Sequence, residues 1–454
     1  MQLSVSLPHK QLFALALPMI FSNITVPLLG MVDTAVIGHL PDAYFLGGST
    51  VGAVVITFII WLSGFLRMST TGLAAQAFGQ NSAKQSQLVL LRGLVVALCI
   101  GVTIIVFQSP YISSALYFAG GSEQVQFYAR EYSEIRVYGV PAAIANVVIL
   151  GWLLGNHRAK AVMWLLIVTN LVNLSLDLLF VWGFEWQVKG VAWATLIAEY
   201  SGLLMGCLII YLGKTDTDNA NQSWRIVTWL EVFNKHALVK YFKLNRDILL
   251  RTLSLQACFI FITFQGAKLG DEVVAANAIL MNFLLLISFG LDGIANAAEV
   301  MVGKANGANR TLALKQAVLV SAIWTLMFAV LYSVIFLVFG QHLITIISNI
   351  ESVVMLANTY LPWIIILPLV ACSCYLLDGI YIGLMNSKIM RNTMMISTFL
   401  VFFPTWWLLQ ALGNHGLWGA FLLFMLARGV TLAWHFYFYV WKGLNSSHTK
   451  GDEA

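Results

Sequence analysis

Long uninterrupted apolar segments alternate with short polar joints along the whole chain. A helix needs about 20 mostly apolar residues to cross the hydrocarbon core of a bilayer. Twelve segments reach this length, and because they do not alternate apolar with polar residues, they predict helices rather than the strands of a membrane barrel. The predicted spans are 10–38, 46–74, 87–109, 124–151, 160–183, 190–213, 246–269, 272–302, 312–339, 352–384, 391–411 and 415–441.

The composition of the 454 residues agrees with a membrane protein, since 59% are hydrophobic and 10% are charged, whereas soluble proteins carry about 25% charged residues. A soluble enzyme, a disulfide-stapled secreted protein and a disordered scaffold are excluded. The net charge of +5 comes without the clustered basic surface that nucleic-acid binding needs. The first apolar segment lacks a cleavage site and is predicted to be a retained helix.

The basic residues predict the orientation of the chain in the membrane. Nineteen Lys and Arg residues lie at the termini or in joints after even-numbered spans, and three lie after odd-numbered spans. Cytoplasmic loops carry the excess of basic residues, so both termini are predicted to be cytoplasmic. The remaining three, Arg67, Arg136 and Arg428, fall inside spans.

A polar linker at 214–245 separates an N-terminal half, 1–213, from a C-terminal half, 246–454. The glycine pair that ends the fourth span recurs 228 residues later in the tenth, as Gly151 with Gly155 and Gly379 with Gly383. The Ala-rich stretches 74–79 and 297–303 are matched as well, with one extra residue in the second stretch. Six spans in each half give both halves the same orientation, which is typical of a transporter with a cavity between its halves.

Asp33 is a carboxylate deep in the first span, behind Pro18 and Pro27, which can each kink a helix. A charge at the bilayer centre costs about 2.5–3.5 kcal/mol on insertion scales, so an acid in a span is a functional candidate by default. The alternative is that Asp33 lies near the outer membrane surface, because the predicted helix ends around Gly38.

The fifth span carries a polar stripe. Asn170, Asn173 and Asp177 are spaced i, i+3 and i+7 and therefore share one helical face. Thr195 in the sixth span offers a hydroxyl group to this stripe. Such a stripe can hold a proton, a cation or a polar network between helices. In the fourth span, Tyr132 shares a face with Arg136, which is a candidate partner for a carboxylate.

The C-terminal half has its own charged positions. Asp292 begins a stripe with Asn296 and Glu299 in the eighth span, and Asp378 lies in the tenth. The seventh span is taken to carry no carboxylate. Asp292 and Asp378 have two open interpretations, since each either lines a cavity or forms a structural ion pair. Arg67 is expected to pair with a group inside the protein. The candidates for lining a substrate cavity are Asn170, Arg67, Asp292 and Asp378.

The stretches Gly64–Ala77 and Phe289–Glu299, together with Pro18 fifteen residues before Asp33 and the pair Asn173 and Asp177, resemble the multidrug and toxic compound extrusion (MATE) transporters. The two stretches are similar to the DNA-damage-inducible (DinF) subfamily of bacteria. The resemblance covers nearly the whole chain. It implies an all-α membrane protein of twelve transmembrane helices in two pseudo-symmetric six-helix bundles.

The same resemblance implies a multi-pass protein of the bacterial inner membrane that exports drugs and organic cations from the cytoplasm against protons or sodium. It assigns Asp33 as the main protonation site and implies that protonation bends the first helix at Pro18. The residues that it implies assist Asp33 are Asn173, Asp177, Thr195 and Tyr132. Sodium, if it replaces the proton, is expected at Asp33, Asn173, Asp177 and Thr195.

The chain contains neither a Walker A motif nor H-E-x-x-H, so an ion gradient rather than nucleotide hydrolysis is expected to drive transport. We expect no enzyme activity, no cofactor, no bound metal other than the coupling ion, and a monomer. A flippase of lipid-linked substrates is a second hypothesis, which requires a cavity lined with Arg and Lys. A third, an integral-membrane enzyme, requires His, Asp or Glu clustered near an interface.

Overall fold

The computed structural model describes residues 7–38, 42–120, 122–213 and 227–442, apart from the side chains of residues 25–35, 38 and 43. These ranges contain helices and turns but no strand. The first ten α-helices are α1 (His9–Gly38), α2 (Ala43–Leu62), α3 (Phe65–Gly79), α4 (Ala83–Val106), α5 (Gln108–Ala119), α6 (Glu123–Arg136), α7 (Val140–Gly155), α8 (Ala159–Asp177), α9 (Gln187–Leu212) and α10 (Trp229–Val232).

Seven more helices follow: α11 (Lys235–Lys268), α12 (Asp271–Gly307), α13 (Thr311–Ile347), α14 (Glu351–Gly383), α15 (Ser387–Ile396), α16 (Phe403–Leu409) and α17 (Asn414–His435). Short 3₁₀ turns occupy Val137–Gly139 and Gln410–Leu412, and π-helical turns occupy Leu178–Gly183, Ser397–Phe402 and Phe436–Trp441. All backbone polar groups of a helix are satisfied within the segment, which is why lipid selects this structure.

Eleven helical segments within the described ranges are long and apolar enough to cross a membrane. They coincide with the second to twelfth predicted spans, and α1, with 30 residues, precedes them at the position of the first. Several spans consist of two consecutive helices, such as α2 with α3 and α6 with α7.

The contacts divide the chain into two compact units. The N-terminal unit is Phe21–Tyr241, and the C-terminal unit takes the chain on either side, including α1 as far as Ile20. The beginning of α1 is held there by Phe13, whose ring packs edge-on against Trp324 of α13 with 4.3 Å between centroids. The halves 1–213 and 246–454 stay a prediction, because linker residues 214–226 lie outside the described ranges.

Equivalent glycines bring two helices into backbone contact in each unit. A Cβ atom on Gly151 of α7 would lie 2.6 Å from the carbonyl oxygen of Arg67 in α3. A Cβ atom on Gly379 of α14 would lie 2.3 Å from the carbonyl oxygen of Ala295 in α12. Residues 67 and 295 are separated by 228 positions, as are residues 151 and 379. Both sites exclude any larger residue because another backbone occupies the space.

The predicted match between the two Ala-rich stretches is wrong by about one helical turn. A Cβ atom on Gly155 would meet the backbone nitrogen of Ala75 at 3.0 Å, and one on Gly383 would meet that of Gly303 at 2.9 Å. Ala75 therefore corresponds to Gly303, again 228 positions later. Small residues recur at several successive turns of α3 and α12, so composition alone did not fix which residues of the two helices correspond.

Candidate functional site

The polar stripe of α8 is buried against α9. Asn173 and Asp177 are 1% and 0% exposed. The Asn173 Nδ2 donates a hydrogen bond to the Thr195 Oγ1 over 3.0 Å, and the Thr195 hydroxyl donates to the carbonyl of Val191 over 2.9 Å. Asp177 lies one turn beyond Asn173 and ends α8 where the π-helical turn begins. The structure thus brings predicted residues from two spans into one buried polar group.

Asn170, one turn before Asn173, is half-buried. Its Nδ2 atom is shielded from solvent and has no hydrogen-bond partner within the described residues. A buried amide donor without a partner is costly. This end of the stripe therefore offers a donor to a water molecule or a ligand.

Tyr132 of α6 is buried in an apolar cluster that also contains Val36 and Ile37 of α1 and Val191 of α9. The cluster joins α1, α6 and α9 beside the polar stripe. Asp33 belongs to α1, one turn before Ile37, and its side chain lies outside the described residues.

Pro18, the predicted bending point, is buried within α1, which is continuous from His9 to Gly38. It lies two residues before Ile20, where α1 passes from the C-terminal to the N-terminal unit.

An ion pair that the sequence analysis did not assign links α6 to α9. The two guanidinium nitrogens of Arg136 donate to the two carboxylate oxygens of Glu199 over 2.7 and 2.9 Å, and the side chains are 6% and 14% exposed. A Cβ atom on Gly139 would lie 2.2 Å from a Glu199 oxygen, so glycine leaves room for the carboxylate. Glu199 is one turn beyond Thr195, and its position inside the sixth span was the signal that could have found it.

In the C-terminal unit, Asp378 is buried between two arginines. Its Oδ2 atom accepts a hydrogen bond from the Arg428 Nη2 over 2.8 Å and another from the Arg251 Nη2. Arg251 is one of the nineteen basic residues that the sequence analysis assigns to the termini and joints, and this assignment was wrong, because Arg251 lies in α11 and is 8% exposed. Asp378 therefore forms structural ion pairs, which was one of the two roles that the sequence left open.

The expectation that the seventh span carries no carboxylate was also wrong. Asp247 lies in α11, is 6% exposed and accepts a hydrogen bond from the Arg391 Nη1 over 2.7 Å. Its other close partner is the adjacent Arg246. This acid is neutralised by arginines near the start of the span.

The remaining two cavity candidates are half-buried. Arg67 lies in α3, where its carbonyl oxygen faces Gly151. Asp292 lies in α12, close enough to Tyr375 of α14 to interact with it electrostatically. Neither residue is in a group of three or more His, Cys, Asp or Glu side chains suited to a metal ion, and the described residues contain no such group.

A groove of about 720 Å³ lies between α5, α6 and α9 of the N-terminal unit. Its charged lining consists of Arg130, Glu131, Glu134 and Lys189, and Trp193 contributes an apolar wall. None of the predicted site residues lines it, so this groove is separate from the buried stripe.

The model of the MatE family matches this sequence twice, over residues 18–179 and 248–408. The chain belongs to the MatE family. One match lies within each predicted half, 1–213 and 246–454, and the repeated glycine contacts show the same internal repeat. Membership identifies the MatE protein as a membrane transporter and not an enzyme.

Curated relatives cover almost the whole chain. The DNA damage-inducible protein F of Escherichia coli (strain K12) is 44% identical over 428 residues, covering 93% of this chain and 91% of that protein. The multidrug resistance protein NorM of Vibrio cholerae is 23% identical and covers 94% of this chain and 95% of its own. The first of these confirms the resemblance to the DinF subfamily.

Solved structures show the same fold. A crystal structure of MATE in the bent conformation has a TM-score of 0.84 at 19% identity, covering 97% of both chains. A crystal structure of MATE in the straight conformation has a TM-score of 0.82 at 18% identity, covering 98% of both. The predicted class, an all-α membrane protein with two pseudo-symmetric six-helix bundles, is confirmed.

Proposed function

We propose that this MatE protein is a proton-coupled antiporter that exports multiple drugs and organic cations from the cytoplasm by alternating access. Asp33 is its main protonation site. The protein lies in the bacterial inner membrane as a monomer with both termini in the cytoplasm. The names of the NorM relatives, which are called multidrug resistance proteins, support the substrate class.

The observation that carries this proposal is the buried hydrogen bond between Asn173 and Thr195, with Asp177 one turn away. A carboxylate buried beside an amide and a hydroxyl group can exchange a proton when its surroundings change from wet to dry, because burial disfavours the charged form. The segment of α1 that follows Asp33 packs into the cluster around Tyr132. Helix α1 is therefore well placed to respond to the protonation of Asp33.

A proton and a cationic drug compete for the same carboxylates, and this competition couples the export of the drug to the uptake of the proton. The ionised carboxylates attract the drug, and protonation removes that attraction. Each ligand then favours the conformation to which it binds more tightly, which is the only way a ligand can shift a conformational equilibrium. The Nδ2 atom of Asn170, which has no hydrogen-bond partner among the described residues, offers a further contact to a polar substrate.

The pairing of Asp378 supports coupling through the N-terminal unit. Two arginines already neutralise this carboxylate, so a coupling cation gains little there. The sodium-coupled alternative uses the same N-terminal residues, because carboxylate, amide and hydroxyl oxygens are all hard ligands suited to such a cation.

The test uses purified protein in liposomes with a fluorescent cationic drug and separately imposed proton and sodium gradients. We expect drug movement driven by the proton gradient, and loss of that movement in Asp33→Asn. Glu134→Gln is the matched control, because Glu134 is an exposed carboxylate of the same unit and its loss should leave transport unchanged.

Drug movement driven only by the sodium gradient would show that the coupling ion is sodium, and the proposed site at Asp33 would remain the same. Equal transport by wild type and Asp33→Asn at every pH would refute the role of Asp33. Movement under neither gradient would favour the flippase hypothesis and a lipid-linked substrate.

A further inference from the structure

Three charged side chains from three different spans meet inside the C-terminal unit. Arg251 of α11, Asp378 of α14 and Arg428 of α17 are 8%, 6% and 2% exposed. Both arginines donate to the same carboxylate oxygen, Oδ2 of Asp378. We call this group the arginine–aspartate cluster.

The charges of the cluster do not balance. Two guanidinium groups face one carboxylate, and an arginine side chain cannot be deprotonated in a protein. The cluster therefore carries one excess positive charge, and protonation of Asp378 would increase the excess rather than remove it. An uncompensated charge away from water is strongly unfavourable.

Among the described residues, the neighbouring helices do not supply the missing charge. Neither arginine forms a second ion pair with a carboxylate among the described residues. Asp292 of α12 interacts electrostatically with Tyr375 of α14, and the salt bridges of both arginines among the described residues are with Asp378. The Cys374 thiol beside the cluster is hydrogen-bonded to a thioether sulfur and brings no negative charge.

Several guanidinium donors are also unused. The Nε atoms of Arg251 and Arg428 are buried and have no hydrogen-bond partner within the described residues. The Arg428 Nη1 points at the thioether sulfur of Met425 over 3.2 Å, and thioether sulfur is a weak acceptor. The Arg428 guanidinium also lies 5.4 Å from the centroid of the Phe424 ring. Strong guanidinium donors of the cluster are therefore left with weak acceptors or with no acceptor among the described residues.

We propose that the arginine–aspartate cluster is a binding site for a monovalent anion, held by Arg428 and Arg251 opposite Asp378. The bound group has one negative charge and free acceptor lone pairs, as a halide ion or a small carboxylate does. Such a ligand supplies the missing charge and accepts from the unused donors. The proposed anion site does not depend on the coupling ion or on Asp33, so its test is independent of the test of the proposed antiport.

A purely structural cross-link makes a different prediction from an anion site. Arg428→Gln leaves Arg251 and Asp378 as a balanced pair, so it removes the need for an anion. Asp378→Asn leaves both arginines unpaired, so it increases that need. In a cross-link both substitutions break the same network, and added anions have no selective effect on either variant.

The experiment measures thermal unfolding of the purified full-length protein in a neutral detergent. Sodium chloride, sodium acetate and sodium gluconate are titrated at matched ionic strength, gluconate being too large for a buried site. For wild type we expect a saturable rise in melting temperature with chloride or acetate but not with gluconate. The rise should disappear in Arg428→Gln and become larger in Asp378→Asn.

Arg391→Gln is the control, because Arg391 pairs with Asp247 elsewhere in the same unit and its loss should leave the anion effect unchanged. Equilibrium dialysis of labelled chloride and acetate against wild type gives a second readout that requires no variant to fold. Saturable binding of chloride alone identifies an inorganic ion, and preference for acetate identifies a small carboxylate. An equal response to all three salts, without saturable binding, would overturn the proposal.

Discussion

The ion pair between Arg136 and Glu199 allows a sharp test of how the N-terminal unit is held together. Arg136→Met and Glu199→Leu each remove one charge and leave the other buried with nothing to neutralise it. The pair is bidentate at 2.7 and 2.9 Å with side chains 6% and 14% exposed. Removing one partner of such a pair typically costs about 3–5 kcal/mol.

The double variant, Arg136→Met with Glu199→Leu, should cost much less than either single variant. Replacing both members of a buried pair by apolar residues of similar size is often neutral or even stabilising. The double-mutant cycle should therefore show a coupling energy of at least about 3 kcal/mol between the two positions.

The assay is unfolding of the purified protein in mixed micelles by titration with a denaturing detergent, followed by circular dichroism and tryptophan fluorescence. The control cycle uses Lys189→Met and Glu131→Leu, which remove a pair of 2.9 Å whose lysine is 54% exposed. Exposed pairs contribute about 0–1 kcal/mol. Additive losses at Arg136 and Glu199, with coupling no larger than in the control cycle, would refute the reasoning.

Two further predictions concern packing and pH. Gly379→Ala should destabilise the C-terminal unit by about 1–3 kcal/mol, because the new Cβ atom would lie 2.3 Å from a backbone oxygen. The control is Gly183→Ala, whose Cβ atom would have its nearest contact at 3.4 Å and which therefore measures the effect of the substitution alone. Equal unfolding free energies of the two variants would contradict this prediction. The hydrogen bond from Lys84 lowers the pKa of Glu231 from its ordinary 4.5, so the docking of α10 gains stability above about pH 4.5 and loses it as the pH falls through the lowered pKa. The fluorescence of Trp229 in α10 should report this loss, and a pH profile unchanged by Lys84→Met would contradict the assignment.

The charged positions show how far sequence reasoning reaches in a membrane protein. Arg136 was predicted as a candidate partner for a carboxylate from its position inside the fourth span. Its partner Glu199 lies 63 positions away on another span, and no local pattern connects the two. Arg251 was assigned to a joint, and its partner Asp378 lies 127 positions away on α14.

The polar stripe of α8 could be read from the chain because helical periodicity alone puts Asn170, Asn173 and Asp177 on one face. Thr195 of the sixth span was also named as a hydroxyl group for this stripe, and the structure places its Oγ1 atom 3.0 Å from the Asn173 Nδ2. The role of Asp33 stays a prediction.

The sequence by itself determined the number and order of the spans, the family and the repeated glycines. These features follow from local properties: the length of apolar runs, the lack of side chains at close contacts, and backbone hydrogen bonds that lipid forces inside each helix. The tertiary structure alone decided the register of the Ala-rich repeat, the partner of Arg136 and the pairing of Asp378 with two arginines. Those depend on which helix faces meet, and the energy of a buried charge is set by groups distant in sequence that packing brings within a few ångströms.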